Sequence, residues 1–469
     1  MKINPHAKLS NFKNCTKRSI NYGVGVNPKI FKAYDIRGVY PKEINQNAAY
    51  LIGRAFVDFL GKKKLKVVVG RDARLSSPLL YSALTRGIIE GGANVVDIGL
   101  STTPMLYFAV ANFKFDGGIN ITASHNSFQY NGFKLVREKA IPISEISGIK
   151  KIKELAIKGN FKKKDEGNLF KKEILRDYVN FNLRNFNFKK REKIKLVIDT
   201  ANSVSGIVIP EIFKKINFKI HHLFSKLDGN FPNHPPNPLL KENLKNLCRE
   251  VKNKKADLGV AFDGDGDRIV FVDEKGEIVE GGLITALMSS LVLKGSFGKK
   301  ILYDVRSSNI IKETIKKKRG VPIPGRIGHS FIKEKMRREN IIFAGELSGH
   351  YYSKNHYFCE APFFVLFKII KEILEKNKPF SEIVSPYKKY YHSGEINLKI
   401  KNKNKALKAL EKKFEKGKKT KIDGIRIDFQ EWWFLARPSN TEPLLRLVIE
   451  AKTKELMEKK KKEIVKTIK

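Results

Sequence analysis

The sequence predicts an α/β protein built from three similar mixed α/β domains and a smaller C-terminal α+β domain. Three observations carry this reading. The chain has 469 residues, and at roughly 150 residues per domain that length implies three domains or four. Short apolar, β-branched runs alternate with helical stretches in three successive rounds. From about Gly394 the pattern changes to short, charge-rich strands and helices. With 41% apolar residues the chain can bury a sizeable core.

The first round opens with Leu65–Gly70 (LKVVVG), a run short and apolar enough for a buried strand. Ser76-Ser77-Pro78 follows, a capping serine with proline at the start of a helix that runs to about Glu90 and stops at Gly91-Gly92. Ala93–Gly99 reads as a strand, Thr103-Pro104 opens a helix, and Gly118–Ile121 is a third strand. Strands alternating with helices imply a parallel sheet covered on both faces. The second round has Lys195–Asp199, a helix over Val208–Ile216, and strands over Phe218–Phe224 and Asp257–Phe262. The third has Lys300–Asp304, a helix from about Ser308 to Lys318, and a strand over Ile341–Ala344. The last domain should hold a strand, a helix, two or three strands and a final helix.

These breaks divide the chain into a basic, flexible leader (1–24) and four domains, 25–173, 174–277, 278–388 and 389–469. The longest apolar stretches, Leu283–Leu293 and Ala361–Ile370, are interrupted by polar residues and read as core helices; spanning a bilayer takes about 20 apolar residues. The leader has no apolar segment of the secretory kind. Cys15, Cys248 and Cys359 stand far apart with no CxxC spacing, which suits a reducing cytoplasm and suggests neither a disulfide framework nor a zinc site. Lys and Arg number 92 against 48 Asp and Glu, a net charge of +44. The surplus is mostly lysine spread along the whole chain, so it reads as compositional rather than as a nucleic-acid footprint, which would cluster on one face.

Four loops carry chemistry, and ligands in open α/β sheets sit beyond the carboxyl ends of strands. Thr122-Ala123-Ser124-His125-Asn126-Ser127 follows the strand GINI and precedes Lys134. Its serine, beside His125, can act as a nucleophile or phosphate carrier, or the loop can be a polar turn whose side chains cap the backbone. Asp263-Gly264-Asp265-Gly266-Asp267-Arg268 sets three carboxylates at alternate positions. Glycines let them turn onto one point, where their repulsion calls for a cation such as Mg²⁺, Mn²⁺ or Ca²⁺, or the segment can be a solvated acidic turn. An EF-hand is excluded, because its sixth position requires glycine and holds Arg268, and because the flanks read as strands. Gly345-Glu346-Leu347-Ser348-Gly349-His350 can hydrogen-bond vicinal hydroxyls or form an ordinary turn. Arg437-Pro438-Ser439-Asn440-Thr441-Glu442-Pro443 offers a guanidinium, two hydroxyls and backbone N–H groups, an oxyanion cradle or a capped turn. Together the four loops suit phosphoryl transfer on a polyol. No nucleotide-binding fingerprint accompanies them, which argues against a kinase.

The four loops, in this order, resemble those of the α-D-phosphohexomutases. So do Tyr34-Asp35-Ile36-Arg37-Gly38, Gly70-Arg71-Asp72-Ala73-Arg74 and Asp228-Gly229-Asn230-Phe231-Pro232-Asn233-His234. The resemblance runs from about residue 29 to the C-terminus. GELSGH and RPSNTEP most resemble the phosphomannomutase/phosphoglucomutase branch.

The resemblance implies four domains around a central cleft. It makes Ser124 a phosphoserine, with Asp263, Asp265 and Asp267 as Mg²⁺ ligands and a phosphoserine oxygen completing the shell. Arg268 would steady that phosphate, Glu346 and Ser348 would read two sugar hydroxyls, and His350 would support their loop. Arg437, Ser439, Asn440 and Thr441 would grip the idle phosphate. Tyr34, Arg37, His125, Lys134, Arg306 and His329 match further active-site positions, with Lys134, Arg37 and His329 all open as acid or base. The implied activity is isomerisation between hexose 1- and 6-phosphates of mannose and glucose through a hexose 1,6-bisphosphate, by a cytoplasmic monomer or homodimer with no nucleic-acid or membrane partner. A phosphoglucosamine mutase and a polyanion-binding protein on an inactive mutase scaffold are the alternatives. Three positions depart from the family pattern: Ser127 where proline is common, Arg306 where lysine is common, and Cys359-Glu360 where paired aspartates are common.

Overall fold

The computed structural model describes residues 25–188, 193–400, 402–438 and 444–468. The leader (1–24), Cys15 and the cradle residues Ser439, Asn440 and Thr441 lie outside the described residues.

Each of the first three sheets repeats one order of four strands. In the second domain the first strand, Lys195–Asp199, is central and parallel to both Lys219–Leu223 on one side and Leu258–Phe262 on the other. A fourth strand, Ile269–Asp273, then turns back antiparallel on Leu258–Phe262. The third domain does the same with Lys300–Asp304, Val321–Gly325, Phe343–Gly345 and Tyr351–Ser353. The first domain does it with Lys66–Arg71, Asn94–Leu100, Gly117–Ile121 and Tyr130–Arg137, and adds Ile36–Val39 and Leu169–Lys171 at its edges. The sheets are therefore mixed rather than wholly parallel. The antiparallel turn-back is what the strand–helix alternation cannot announce, since third and fourth strands are joined by a loop without a helix.

Burial explains the composition of these strands. Gly117–Ile121 and Leu258–Phe262 are buried at every position, as expected of strands with both faces covered. The helix Thr103–Asn112 is buried along most of its length, from Thr103 to Val110. One apolar core runs through the first three domains and includes Leu106, Phe108, Ile198, Phe262, Ile301 and Phe367. The apolar stretches expected as core helices are Gly281–Val292 and Pro362–Lys376. No helix among the described residues is long and apolar enough to cross a membrane.

Two local expectations are corrected. Ser76 does not cap the helix Ser77–Glu90 with its side chain. Its hydroxyl instead accepts from Asn131 Nδ2 at 2.7 Å, a tertiary bond that competes with the local one. The C-terminal domain has more strands than expected: Ile396–Lys399, the helix Lys403–Lys413, then Lys418–Thr420, Ile425–Asp428, Trp432–Pro438 and Leu444–Ala451, and the helix Lys454–Ile468. Lys418–Thr420 is a short, exposed edge strand whose lysines hide its pairing with Ile425–Asp428. This domain docks on the third through Trp433, Leu435 and Val448 against Val305, and Arg426 donates to the Val305 carbonyl at 3.0 Å.

Candidate active site

The repeated topology places three of the four chemical loops equivalently. In each of the first three domains, the turn from third to fourth strand carries one of them: Ser124 after Gly117–Ile121, the three aspartates after Leu258–Phe262, and Glu346–His350 after Phe343–Gly345. The three turns meet. Ser124 Oγ donates to Asp263 Oδ2 at 2.9 Å. Arg268 and His350 form an antiparallel bridge, with Ile269 N–H donating to the Gly349 carbonyl at 3.0 Å.

Ser124 is buried and has a positive φ of 51°, a conformation costing on the order of 1–2 kcal/mol for a residue with a Cβ. Its N–H donates to Thr122 Oγ1 at 2.9 Å. Gly264 lets the loops approach, since a Cβ there would lie 2.2 Å from the Ser124 carbonyl oxygen. His125 Nδ1 sits 3.3 Å from Ser124 Oγ and 3.0 Å from Arg268 Nη2. The Arg268 charge, with burial, holds His125 well below its ordinary pKa, so its ring is neutral. Arg37 donates to Asn126 Oδ1 in the serine loop at 2.5 Å and pairs with Asp35.

Asp263, Asp265 and Asp267 are buried, and one oxygen of each lies within 4.8 Å of the others. Asp263 is raised well above the usual carboxylate range by burial and by its two aspartate neighbours. Burial pushes Asp267 upward too, but Lys134, His350 and Arg268 outweigh it and hold Asp267 well below that range. The Lys134 ammonium lies 2.7 Å from Asp265 Oδ2 and 2.5 Å from Asp267 Oδ2. Thr103 donates to Asp265 Oδ2 at 2.5 Å. Asp265 Oδ1 is buried without a hydrogen-bond partner. Converging carboxylates with an unsatisfied buried oxygen fit a hard divalent cation such as Mg²⁺.

Glu346 and Ser348 are drawn onto His350: Ser348 Oγ is 3.0 Å and Glu346 Oε1 is 3.5 Å from His350 Nδ1. His350 Nε2 lies 3.2 Å from Asp267 Oδ1. Tyr352 hydrogen-bonds to Glu346. Arg306 pairs with Asp304 through Nε and Nη2, and lies 3.9 Å from Glu346. Tyr34 meets the His329 ring edge-on at a centroid distance of 5.0 Å. His329 is buried, both its ring nitrogens lack hydrogen-bond partners, and burial with the Lys333 charge holds it well below its ordinary pKa.

Of the expected cradle, Arg437 is joined to the site indirectly. Arg437 donates to Glu395 Oε2 at 3.0 Å, and Arg306 lies 3.7 Å from the same oxygen. Glu395 was not expected from the sequence; nothing in its neighbourhood distinguishes it from a surface glutamate. Thr103 was also missed, as was Arg74, although the stretch containing Arg74 stood out. Glu274 accepts from Ser381 Oγ at 2.5 Å and from the Ser381 N–H at 3.0 Å. Cys248 and Cys359 are free thiols.

Fold and site together define an intramolecular phosphotransferase of the phosphohexomutase kind. Four consecutive regions match the phosphoglucomutase/phosphomannomutase domains: alpha/beta/alpha domain I at 28–163, domain II at 176–276, domain III at 280–390 and the C-terminal domain at 395–467. The chain is 40% identical to a phosphomannomutase of Methanocaldococcus jannaschii, over 93% of this chain and 96% of that one. It is 39% identical to a phosphomannomutase of Vibrio cholerae, over 94% and 98%. A crystal structure of a phosphoglucomutase/phosphomannomutase family protein from Burkholderia thailandensis superposes with a TM-score of 0.87 at 31% identity, covering 94% of this chain and 97% of that one. The chain belongs to the phosphoglucomutase/phosphomannomutase family, a family of isomerases.

Proposed function

We propose that this enzyme interconverts the 1- and 6-phosphates of mannose and of glucose, with Ser124 as the phosphoryl carrier. The observation that carries the reading is the 2.9 Å contact between Ser124 Oγ and Asp263 Oδ2, which puts a nucleophilic hydroxyl against a buried carboxylate cluster able to hold a cation. In the forward half, the phosphoryl group on Ser124 passes to the free hydroxyl of a hexose monophosphate. The hydroxyl proton goes to a base, and a hexose 1,6-bisphosphate results. In the return half, Ser124 Oγ takes the other phosphoryl group and the sugar oxygen left behind regains a proton.

The chain's own groups divide this work. Asp263, Asp265 and Asp267 would hold Mg²⁺, which when bound offsets phosphate charge and polarises the transferring group. Arg268 faces the serine loop and would steady the moving phosphate. Glu346 and Ser348, oriented by His350, would read sugar hydroxyls. Arg437, with Ser439, Asn440 and Thr441, would hold the idle phosphate, and Arg306 would face the same region. Lys134 and Arg37 are kept as cations by the carboxylates they touch. His329, whose ring nitrogens lack hydrogen-bond partners, stays beside Lys134 and Arg37 as a candidate for acid or base.

A coupled assay tests this. Mannose 1-phosphate and glucose 1-phosphate are supplied with Mg²⁺ and a trace of glucose 1,6-bisphosphate, beside Ser124→Ala and a chelated sample. Turnover lost in both controls is expected. Turnover only with glucosamine 6-phosphate would move the substrate to the phosphoglucosamine class. Undiminished turnover by Ser124→Ala would end the carrier reading.

A further inference from the structure

We propose that Arg74 is the positioning residue for the reactive serine: its guanidinium dictates the shape of the loop that aims Ser124 Oγ at the metal-binding carboxylates. The inference rests on the reading of Ser124 as phosphoryl carrier. Arginine has five N–H donors in a rigid planar fork, and in Arg74 all five are used. Nη2 donates to the carbonyls of Ser124 and Asn126, each at 2.7 Å. Nη1 donates to the carbonyls of Ser127 at 2.7 Å and Tyr130 at 3.0 Å. Nε donates to Asp72 Oδ2 at 3.0 Å. The side chain is fully buried.

Four carbonyl oxygens from a seven-residue stretch therefore converge on one point. Their dipoles repel one another unless a multidentate cation sits among them; the Ser127 carbonyl also accepts from the Tyr130 N–H at 3.1 Å, so Arg74 is its second partner. The convergence includes the carbonyl of Ser124 itself, the residue with the positive φ. A relaxed loop would return Ser124 toward ordinary backbone angles and swing its side chain away from Asp263. No donor of Arg74 is left for a ligand, so it acts through Ser124 and not on substrate.

Two further contacts fix Arg74. Asp72 also accepts from the Arg74 N–H at 3.1 Å and from Ser77 Oγ at 2.8 Å, anchoring the pair to the start of the helix Ser77–Glu90. The second domain covers the guanidinium from the other side: Phe231 lies over it with 5.1 Å to the ring centroid. A Cβ on Gly229 would lie 2.5 Å from the Ala73 carbonyl oxygen, so that loop packs backbone to backbone on the Arg74 stretch. The domain that carries the aspartates thus packs on the residue that shapes the serine loop, which registers nucleophile and metal ligands to each other.

The test is Arg74→Lys, which keeps the charge but loses the fork and two donors. A misplacement of about 1 Å in a reacting group lowers rate roughly 100-fold. The expected result is a kcat loss of that order with KM for mannose 1-phosphate unchanged within about twofold. Phosphorylation of Ser124 by glucose 1,6-bisphosphate, read on intact protein by mass, should slow by the same factor. Guanidinium ion should restore part of the rate to Arg74→Ala and none to Arg74→Lys. Should either single variant fail to fold, Asp72→Asn/Arg74→Met, which removes both buried charges together, is read by the same kcat, KM and phosphorylation criteria. A kcat within about threefold of the parent in a folded variant, or a rise in KM at constant kcat, would overturn the proposal. Ser124→Ala run alongside separates the two claims: if it still turns over, the carrier reading fails whatever Arg74 does.

Discussion

Thr103 in the first domain and Asp265 in the second are joined twice: the Thr103 hydroxyl donates to Asp265 Oδ2 at 2.5 Å, and its N–H donates to the Asp265 carbonyl at 2.9 Å. The hydroxyl in turn accepts from Asn120 Nδ2 at 2.8 Å, so its proton is directed at the carboxylate. Such outer groups orient metal ligands, and their loss typically lowers metal affinity by about 10- to 100-fold. Thr103→Val should therefore raise the Mg²⁺ concentration needed for half-maximal activity by at least about tenfold. Thr103→Ser should stay near the parent. A Mg²⁺ titration of initial rates checks both, and equal behaviour of the two variants would contradict the role.

Lys134 supplies positive charge between Asp265 and Asp267 in a buried setting. Removing one partner of a buried ion pair leaves uncompensated charge and costs about 3–5 kcal/mol. Lys134→Met should accordingly lower the thermal midpoint in chelator. Added Mg²⁺ should raise the midpoint more in the variant than in the parent, because the cation then relieves a larger repulsion. Calorimetry with and without Mg²⁺ measures the difference, and an equal rise in both proteins would refute it.

Lys333 and Glu360 form a fully buried pair, with the ammonium 3.1 Å from both carboxylate oxygens and 4.2 Å from the Tyr107 ring centroid. Glu360 is one of the positions departing from the family pattern, and its partner lies on the helix that begins at His329. Lys333→Met alone should destabilise by about 3–5 kcal/mol, whereas Lys333→Met/Glu360→Leu should recover most of that loss. Denaturant unfolding of the two variants decides it. A double variant no more stable than the single would show that the pair is worth more than its desolvation.

His356 sits among aromatic rings, 5.0 Å from Phe181 and 5.4 Å from Phe364 by centroid. Burial, with a smaller push from Arg184, lowers its pKa to about 3. The unfolded chain takes up a proton near pH 6.5 that the folded protein refuses. The unfolded state thus binds more protons between these values, and stability falls with falling pH by about 1.4 kcal/mol per unit. The loss is absent above about pH 6.5 and complete near pH 3. His356→Phe should remove this slope, so unfolding free energies of parent and variant should diverge progressively below about pH 6.5. Parallel curves would rule it out.

Much of the site was legible because its residues are grouped locally. Ser124, the three aspartates and Glu346–His350 each occupy one tight loop at the end of a strand, and strand, loop and residue type can be read within a dozen positions. Periodicity located those strands because burial on both faces demands continuous apolar runs, as in Leu258–Phe262. What no local pattern contains is which loops meet. Ser124 and Asp263 touch across 139 positions of chain, and Thr103 and Asp265 across 162. Those contacts depend on the common strand order of the three domains and on the packing of one shared core. The same holds for side chains whose roles lie in their partners. Arg74 is defined by four carbonyls, Lys134 by two carboxylates and Glu395 by three arginines brought from two domains. The sequence by itself determined the chemistry available and the strand ends that would carry it, because hydrophobic period and turn residues act over one element. Only the tertiary structure decided how those groups are aimed and charged, because hydrogen bonds and ion pairs act over about 3 Å in space regardless of separation along the chain.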